Sequence, residues 1–301
     1  MRILLAHDGS PDADVAVDLA RSTPWPAEST IRVISVIEPT IVAVTGWAGA
    51  GGATGYSPEV DTAITASVQD GVTDVVGRLR APNLVAEGTV RRGRPATVIV
   101  EEARAFGADL MLVGSRGRGT IASLVLGSVS GEVVEHAPCP VLVARKSAIS
   151  RVVVGADGSP SSLLAETLVA EWPIFGDMPI RVVSVADVIA PWHTGIAPTM
   201  VAQVTKAYSK DLADAKVAHQ AIADEAVDRL RTAGRDATAE LRTGDAASEV
   251  IAAAVEWKAD LVVLGSRGQT GLKRILLGSV ARNVLHGSAA SVLVVRNAET
   301  A

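Results

Sequence analysis

The chain has 301 residues, of which 48% are apolar, 20% charged and 3% aromatic, with a formal net charge of −5. Such a composition excludes a disordered chain, and the length suits two domains of ordinary size, each with a core of Val, Leu, Ile and Ala under covering helices. The acidic balance argues against a general nucleic-acid binder, and a lone cysteine, Cys139, excludes an intrachain disulfide or a cysteine zinc cluster.

The chain opens with Met1-Arg-Ile-Leu-Leu-Ala and runs straight into Asp8-Gly9-Ser10. No cleavage-site pattern intervenes, so this segment reads as a first strand over 2–7. Further apolar runs predict strands near 31–37, 84–90, 109–114 and 140–145, and the amphipathic stretches between them predict helices near 12–22, 60–80, 95–106 and 128–136. After a short linker at 146–150 the series starts again. Strands are expected near 151–156, 180–186, 236–242, 260–265 and 291–296, with helices near 161–171, 200–233, 246–257 and 279–286. Residues 38–59, rich in glycine around Trp47 and Tyr56, and 187–199, around Trp192 and His193, read as loops after the second strand of each series, placed to act as a lid or simply as mobile connections. No apolar stretch approaches the roughly 18 residues of a membrane span, so a soluble cytoplasmic protein is expected.

Four blocks recur in the same order. Arg2 to Pro11 aligns with Arg151 to Pro160, Ile31 to Val36 with Ile180 to Val185, Gly107 to Gly117 with Lys258 to Gly268, and Pro140 to Arg145 with Ser291 to Arg296. This is a duplicated domain, spanning 1–147 and 150–297. Strand and helix alternation in each copy predicts an α/β fold: two tandem doubly wound parallel sheets with right-handed crossovers.

Each copy carries Gly-Ser-Arg-Gly, nine residues, then Gly-Ser. The positions are Gly114, Gly117, Gly127 and Ser128 in the first copy, and Gly265, Gly268, Gly278 and Ser279 in the second. The first four-residue block follows a strand, and the closing Gly-Ser precedes a helix. In an open parallel sheet, ligands lie beyond the carboxyl ends of the strands, where the winding reverses. Asp8 and Asp157 end the first strand of each copy, and an acid there can accept from sugar hydroxyls. Glycine leaves room for phosphate oxygens, and Ser128 and Ser279 suit helix N-caps whose amides face an anion. Arg116 and Arg267 either add charge or point into solvent. The sum describes a nucleotide site in each copy. The blander alternative makes Asp8 and Asp157 caps of the first helix and the glycines mere turns.

The chain resembles a tandem universal stress protein of the nucleotide-binding branch, whose Gly-x-x-Gly, nine residues, Gly-Ser/Thr signature matches at 114–128 and 265–279. The resemblance covers nearly the whole chain. It implies five parallel strands in the order 3-2-1-4-5 in each domain, with last strands that pair across domains or subunits. It further implies ATP, with magnesium as a companion of its phosphates. Asp8 and Asp157 would contact adenine or ribose, and the glycines with Ser128 and Ser279 would hold ribose and phosphates. Val36 and Val185, at the second-strand ends, would offer backbone contacts to adenine. A cytoplasmic homodimer regulating stress response, growth arrest or persistence through an unknown regulatory partner is the function implied, with no nucleic acid or membrane involved.

Two departures stand out. His7 occupies a position where the family often has a small aliphatic residue, and reads as a core or site-edge histidine. Gly287 to Ser291 replaces the tighter Ala137-Pro-Cys-Pro140 turn. The full phosphate-loop pattern of motor-type NTPases that ends in Lys-Ser/Thr, the kinase lysine and a Gly-x-Ser-x-Gly elbow are all absent from the sequence. His136 and His286 fall near helix ends, and His193 and His219 lack metal-ligand spacing. Three functions remain at this level: a nucleotide-loaded binding module, a slow ATPase or phosphotransfer enzyme using the same sites, or an interaction protein whose glycines only make turns.

Overall fold

A computed structural model describes residues 1–38, 58–82, 84–117, 126–187, 201–268 and 277–296, with backbone only over 201–206. The two loops considered for a lid, and most of the nine-residue spacers, lie outside these residues. The first copy folds as β1 (Arg2–Ala6), α1 (Pro11–Ser22), β2 (Ser29–Ile37), α2 (Pro58–Leu79), β3 (Leu84–Arg92), α3 (Pro95–Phe106), β4 (Leu110–Gly114), α4 (Ser128–His136) and β5 (Val141–Ala144). The second follows as β6 (Val152–Gly155), α5 (Pro160–Glu171), β7 (Ile180–Ala186), α6 (Val201–Thr232), β8 (Ala237–Thr243), α7 (Ala246–Glu256), β9 (Leu261–Gly265), α8 (Ser279–Gly287) and β10 (Ser291–Val295). A short 3-10 turn, Pro173–Phe175, follows α5 and has no counterpart in the first copy.

The order β3-β2-β1-β4-β5-β10-β9-β6-β7-β8 makes one ten-stranded sheet. Pairing is parallel within each copy, and each half follows 3-2-1-4-5. The join is antiparallel: Val292 faces Val143 and Val294 faces Val141. The last strands therefore pair across the two domains of one chain. Central strands are valine and leucine runs buried on both faces, as parallel strands between helix layers require.

Each face of the sheet carries one apolar layer that runs through the join. The first includes Leu5, Val17 and Leu142 together with Val154, Val169 and Leu293, under α1, α2, α5 and α6. The second includes Val113, Val133 and Val143 together with Val250, Val284 and Val292, under α3, α4, α7 and α8. Among the described residues, no helix is long and apolar enough to cross a membrane.

Local chemistry sets the helix starts. Ser10 caps α1 by accepting from the Ala13 amide, with Pro11 in the first turn; Ser159 and Pro160 repeat this for α5, where the Ser162 amide donates. These caps fix the angle at which each first helix leaves its strand, and so where the preceding aspartate stands.

Candidate functional site

β1 lies between β2 and β4, so the winding reverses between β1 and β4 and opens a crevice at their carboxyl ends. Asp8 stands there. Its Oδ1 accepts from the Ser10 amide at 3.0 Å, across Gly9, whose φ of 79° is a left-handed conformation that glycine adopts without strain. Asp157 repeats the contact with the Ser159 amide at 2.9 Å, across Gly158 at φ 74°. The helix is capped by the serine, not by the aspartate.

The same serine ties the strand end to the glycine loop. Ser10 Oγ accepts from the Ala13 amide at 3.2 Å and donates to the Arg116 carbonyl at 3.3 Å. Ser159 Oγ does likewise with the Ser162 amide and the Arg267 carbonyl, both at 3.2 Å. Neither serine was singled out from the sequence, although both sit inside the Asp-Gly-Ser repeat.

The glycines do different jobs. A Cβ on Gly117 would fall 2.7 Å from Asp8 Oδ2, and one on Gly268 would fall 2.9 Å from Asp157 Oδ2. The glycine loop and the strand-end carboxylate are thus brought into contact in both copies. At Gly114 a Cβ would meet the Asp12 backbone at 2.7 Å, and at Gly265 the Ser161 backbone at 2.5 Å. The space expected for phosphate at Gly114 and Gly265 is therefore taken by the first turn of α1 or α5. Those two glycines allow strand and helix to pack closely.

Ser128 and Ser279 are corrected in role. The cap positions of α4 and α8 are Gly127 and Gly278, and the serines are the exposed first residues of the helices. Serine is ordinarily preferred over glycine as a cap, but the backbone here is crowded. The Gly127 amide donates to the Ser115 carbonyl at 2.8 Å, and a Cβ on Gly127 would lie 3.2 Å from Arg116 Cα. Gly278 repeats this, donating to the Ser266 carbonyl at 2.8 Å, with a Cβ 3.4 Å from Arg267 Cα. Among the described residues no side chain caps either helix, and each helix start carries the partial positive charge of its unpaired amides.

Val36 and Val185 lie just past the last pairing of the first two strands of each copy, Ala6 with Ile34 and Gly155 with Val183. Val36 is half-buried and Val185 buried, both packed toward the second apolar layer.

The copies differ around this frame. Asp12 accepts from Ser115 Oγ at 2.6 Å and pairs with Arg116 Nε at 3.3 Å. The second copy has Ser161 there, so the Arg116 pairing is not repeated. His7 is buried, with Nε2 3.6 Å from Asp14, and burial holds its pKa below the ordinary histidine value against the pull of Asp14 and Asp8. The counterpart of His7 is Ala156. In the second copy His219 on α6 meets Ser184 Oγ through Nδ1 at 2.9 Å, and burial lowers its pKa against Asp157 and Asp187.

A carboxylate, a glycine backbone beside it and an uncapped helix start in one crevice fit a ligand with hydroxyls at one end and phosphate at the other.

Comparison with known proteins agrees with the duplication. The Universal stress protein family matches residues 1–145 and again 148–296. A universal stress protein of Mycolicibacterium smegmatis is 27% identical over 98% of this chain and 96% of its own length. One from Thermus aquaticus is 33% identical over 48% of this chain and 97% of its own length. The crystal structure of a universal stress protein from Archaeoglobus fulgidus superposes with a TM-score of 0.64 at 17% identity, covering 98% of both chains. The chain belongs to the universal stress protein family, as two tandem domains joined into one sheet.

Proposed function

We propose that this protein is a cytoplasmic regulator that holds ATP at two sites and reports their occupancy through homodimer assembly or contact with a regulatory partner protein. The observation that carries this reading is the contact of Gly117 with Asp8, repeated by Gly268 with Asp157. A merely turn-forming glycine has no need to lie against a strand-end carboxylate twice. Asp8 and Asp157 accept from the ribose or the adenine amino group. The backbone at Gly117 and Gly268, and the helix starts at Gly127-Ser128 and Gly278-Ser279, receive phosphate. Gly114 and Gly265 hold the loop ends against the first helices, and Val36 and Val185 border the adenine. Bound ATP supplies the charge and shape that a partner reads, and magnesium accompanies its phosphates.

Titration calorimetry with ATP and magnesium tests the reading. The expected result is micromolar binding at up to two sites per chain, lost in the Asp8→Ala plus Asp157→Ala double variant. A flat titration of folded wild-type protein that also carries no nucleotide from purification would sink it.

A further inference from the structure

Each copy ends its last strand with an arginine, Arg145 after β5 and Arg296 after β10. The antiparallel join sends each of them into the other domain. Arg296 Nη1 donates to the carbonyls of Val134 at 3.1 Å and Glu135 at 2.8 Å, in the last turn of α4. Arg145 Nη2 donates to the Leu285 carbonyl in the last turn of α8. Glu135 adds an ion pair to Arg282 of α8 at 2.9 Å. The guanidinium groups are largely withdrawn from water. Arg296 is 5% exposed, and burial brings the Arg145 pKa down to about 10.

Buried cations are costly, and their position gives them a use. The last carbonyls of a helix lack partners within it, and a cation there also opposes the helix dipole. Both α4 and α8 have nine residues, too short to persist without outside support. A rise of 1.5 Å per residue puts the arginine roughly 13 Å from the start of the helix it holds. That start is Gly127 for α4 and Gly278 for α8, in the first and second sites. At its own end each arginine leaves a strand that runs beside its own glycine loop. Ala144 pairs with Gly114, Val295 pairs with Gly265, and the Ser266 amide donates to the Val295 carbonyl at 2.8 Å.

We infer that Arg296 is a positioning residue for the first site and Arg145 for the second. Each holds the far end of the helix whose start forms the other domain's site. The effect on ligand rests on the nucleotide reading above; the effect on the helix does not.

The test uses the full chain with one site removed at a time. In a Gly268→Ala background, where the first site remains, Arg296→Met should weaken ATP binding roughly tenfold, with partial recovery in Arg296→Lys. In a Gly117→Ala background the same change should leave the second site within about twofold. Arg145→Met should show the reverse dependence, with a smaller loss because it donates to a single carbonyl. Without nucleotide, amide exchange should quicken over 128–131 in Arg296→Met and over 279–282 in Arg145→Met. Equal weakening of both sites, or weakening of the arginine's own site, would overturn the inference, as would unchanged exchange at the helix starts. Quickened exchange without ATP binding in any variant or in the wild type would instead uphold the positioning and discard the nucleotide.

Discussion

At the residue scale, the site depends on glycines that are irreplaceable for different reasons. Gly117→Ala and Gly268→Ala push a methyl against Asp8 or Asp157. Each should weaken nucleotide binding at its own site by roughly tenfold or more while leaving the thermal midpoint close to wild type. Gly114→Ala and Gly265→Ala meet helix backbone and should lower stability first, which differential scanning calorimetry separates from calorimetric affinity. Ser10→Ala removes both the cap of α1 and the bond to the Arg116 carbonyl. A loss of about 1 kcal/mol is expected from the cap alone, read from urea unfolding. That Asp8 and Gly117 belong to one place in the fold was legible because their motif spacings repeat. The demotion of Ser128 was not legible. Serine normally wins the cap, and only the crowding of Gly127 against Arg116 reverses the preference.

His7 contributes a pH term. Its folded pKa lies below the ordinary value of 6.5, chiefly through burial. As pH falls the unfolded chain takes up this proton first, so the folded state is disfavoured below about pH 6.5 and unaffected above it. Asp14, held down mainly by its hydrogen bond from Arg78, also loses its stabilising share with falling pH, but only through the carboxylate range. Replacing His7 with Ala, the residue its counterpart position carries, should flatten the stability slope between about pH 7.5 and 5.5. Part of the slope remains, because His219 is shifted in the same direction. An unchanged slope in chemical-denaturation titrations would contradict the burial account.

At the element scale, helix boundaries followed their punctuation closely. Ser10-Pro11 and Ser159-Pro160 start α1 and α5, and Pro95 starts α3. The edge strand β3 extends to Arg92, beyond the 90 expected from its apolar run. Its polar end continues the ladder with β2, Val36 beside Arg91 and Ile37 beside Arg92, and adds the ion pairs of Arg91 with Glu102 and Arg92 with Asp61; hydrophobic patterning is blind to both. The 3-10 turn Pro173–Phe175 was missed because three residues are too few to show a helical period. One repeat position carries a built-in defect. α3 ends on Gly107 at φ 62°, whereas α7 is followed by Lys258 at φ 54°, a left-handed conformation in a residue with a side chain. Lys258→Gly should therefore stabilise the chain by about 0.5–1 kcal/mol, measured as a shift of the urea midpoint at constant slope.

At the scale of the whole molecule, duplication was plain from four aligned blocks, but the manner of joining was open between domains and subunits. Val-Leu-Val-x-Arg occurs in both last strands, and nothing in one sequence says which partner it pairs with. The structure unites β5 with β10 and continues both apolar layers through the seam. A chain built this way should unfold in one cooperative calorimetric transition, with equal van't Hoff and calorimetric enthalpies. Two resolved transitions would mean that the seam couples the domains weakly. Arg145 and Arg296 are invisible as cross-domain contacts in the sequence for the same reason: their partners lie 140 and 162 residues away and are fixed only by the join. The central claim is that the Asp-and-glycine crevice of each copy holds an adenine nucleotide. The direct measurement is mass spectrometry of nucleotide released from freshly purified protein, with its stoichiometry per chain. The account predicts ATP at up to two per chain, halved by Gly117→Ala or Gly268→Ala alone. Protein that is folded, free of nucleotide and unable to bind added ATP at micromolar concentration would contradict it.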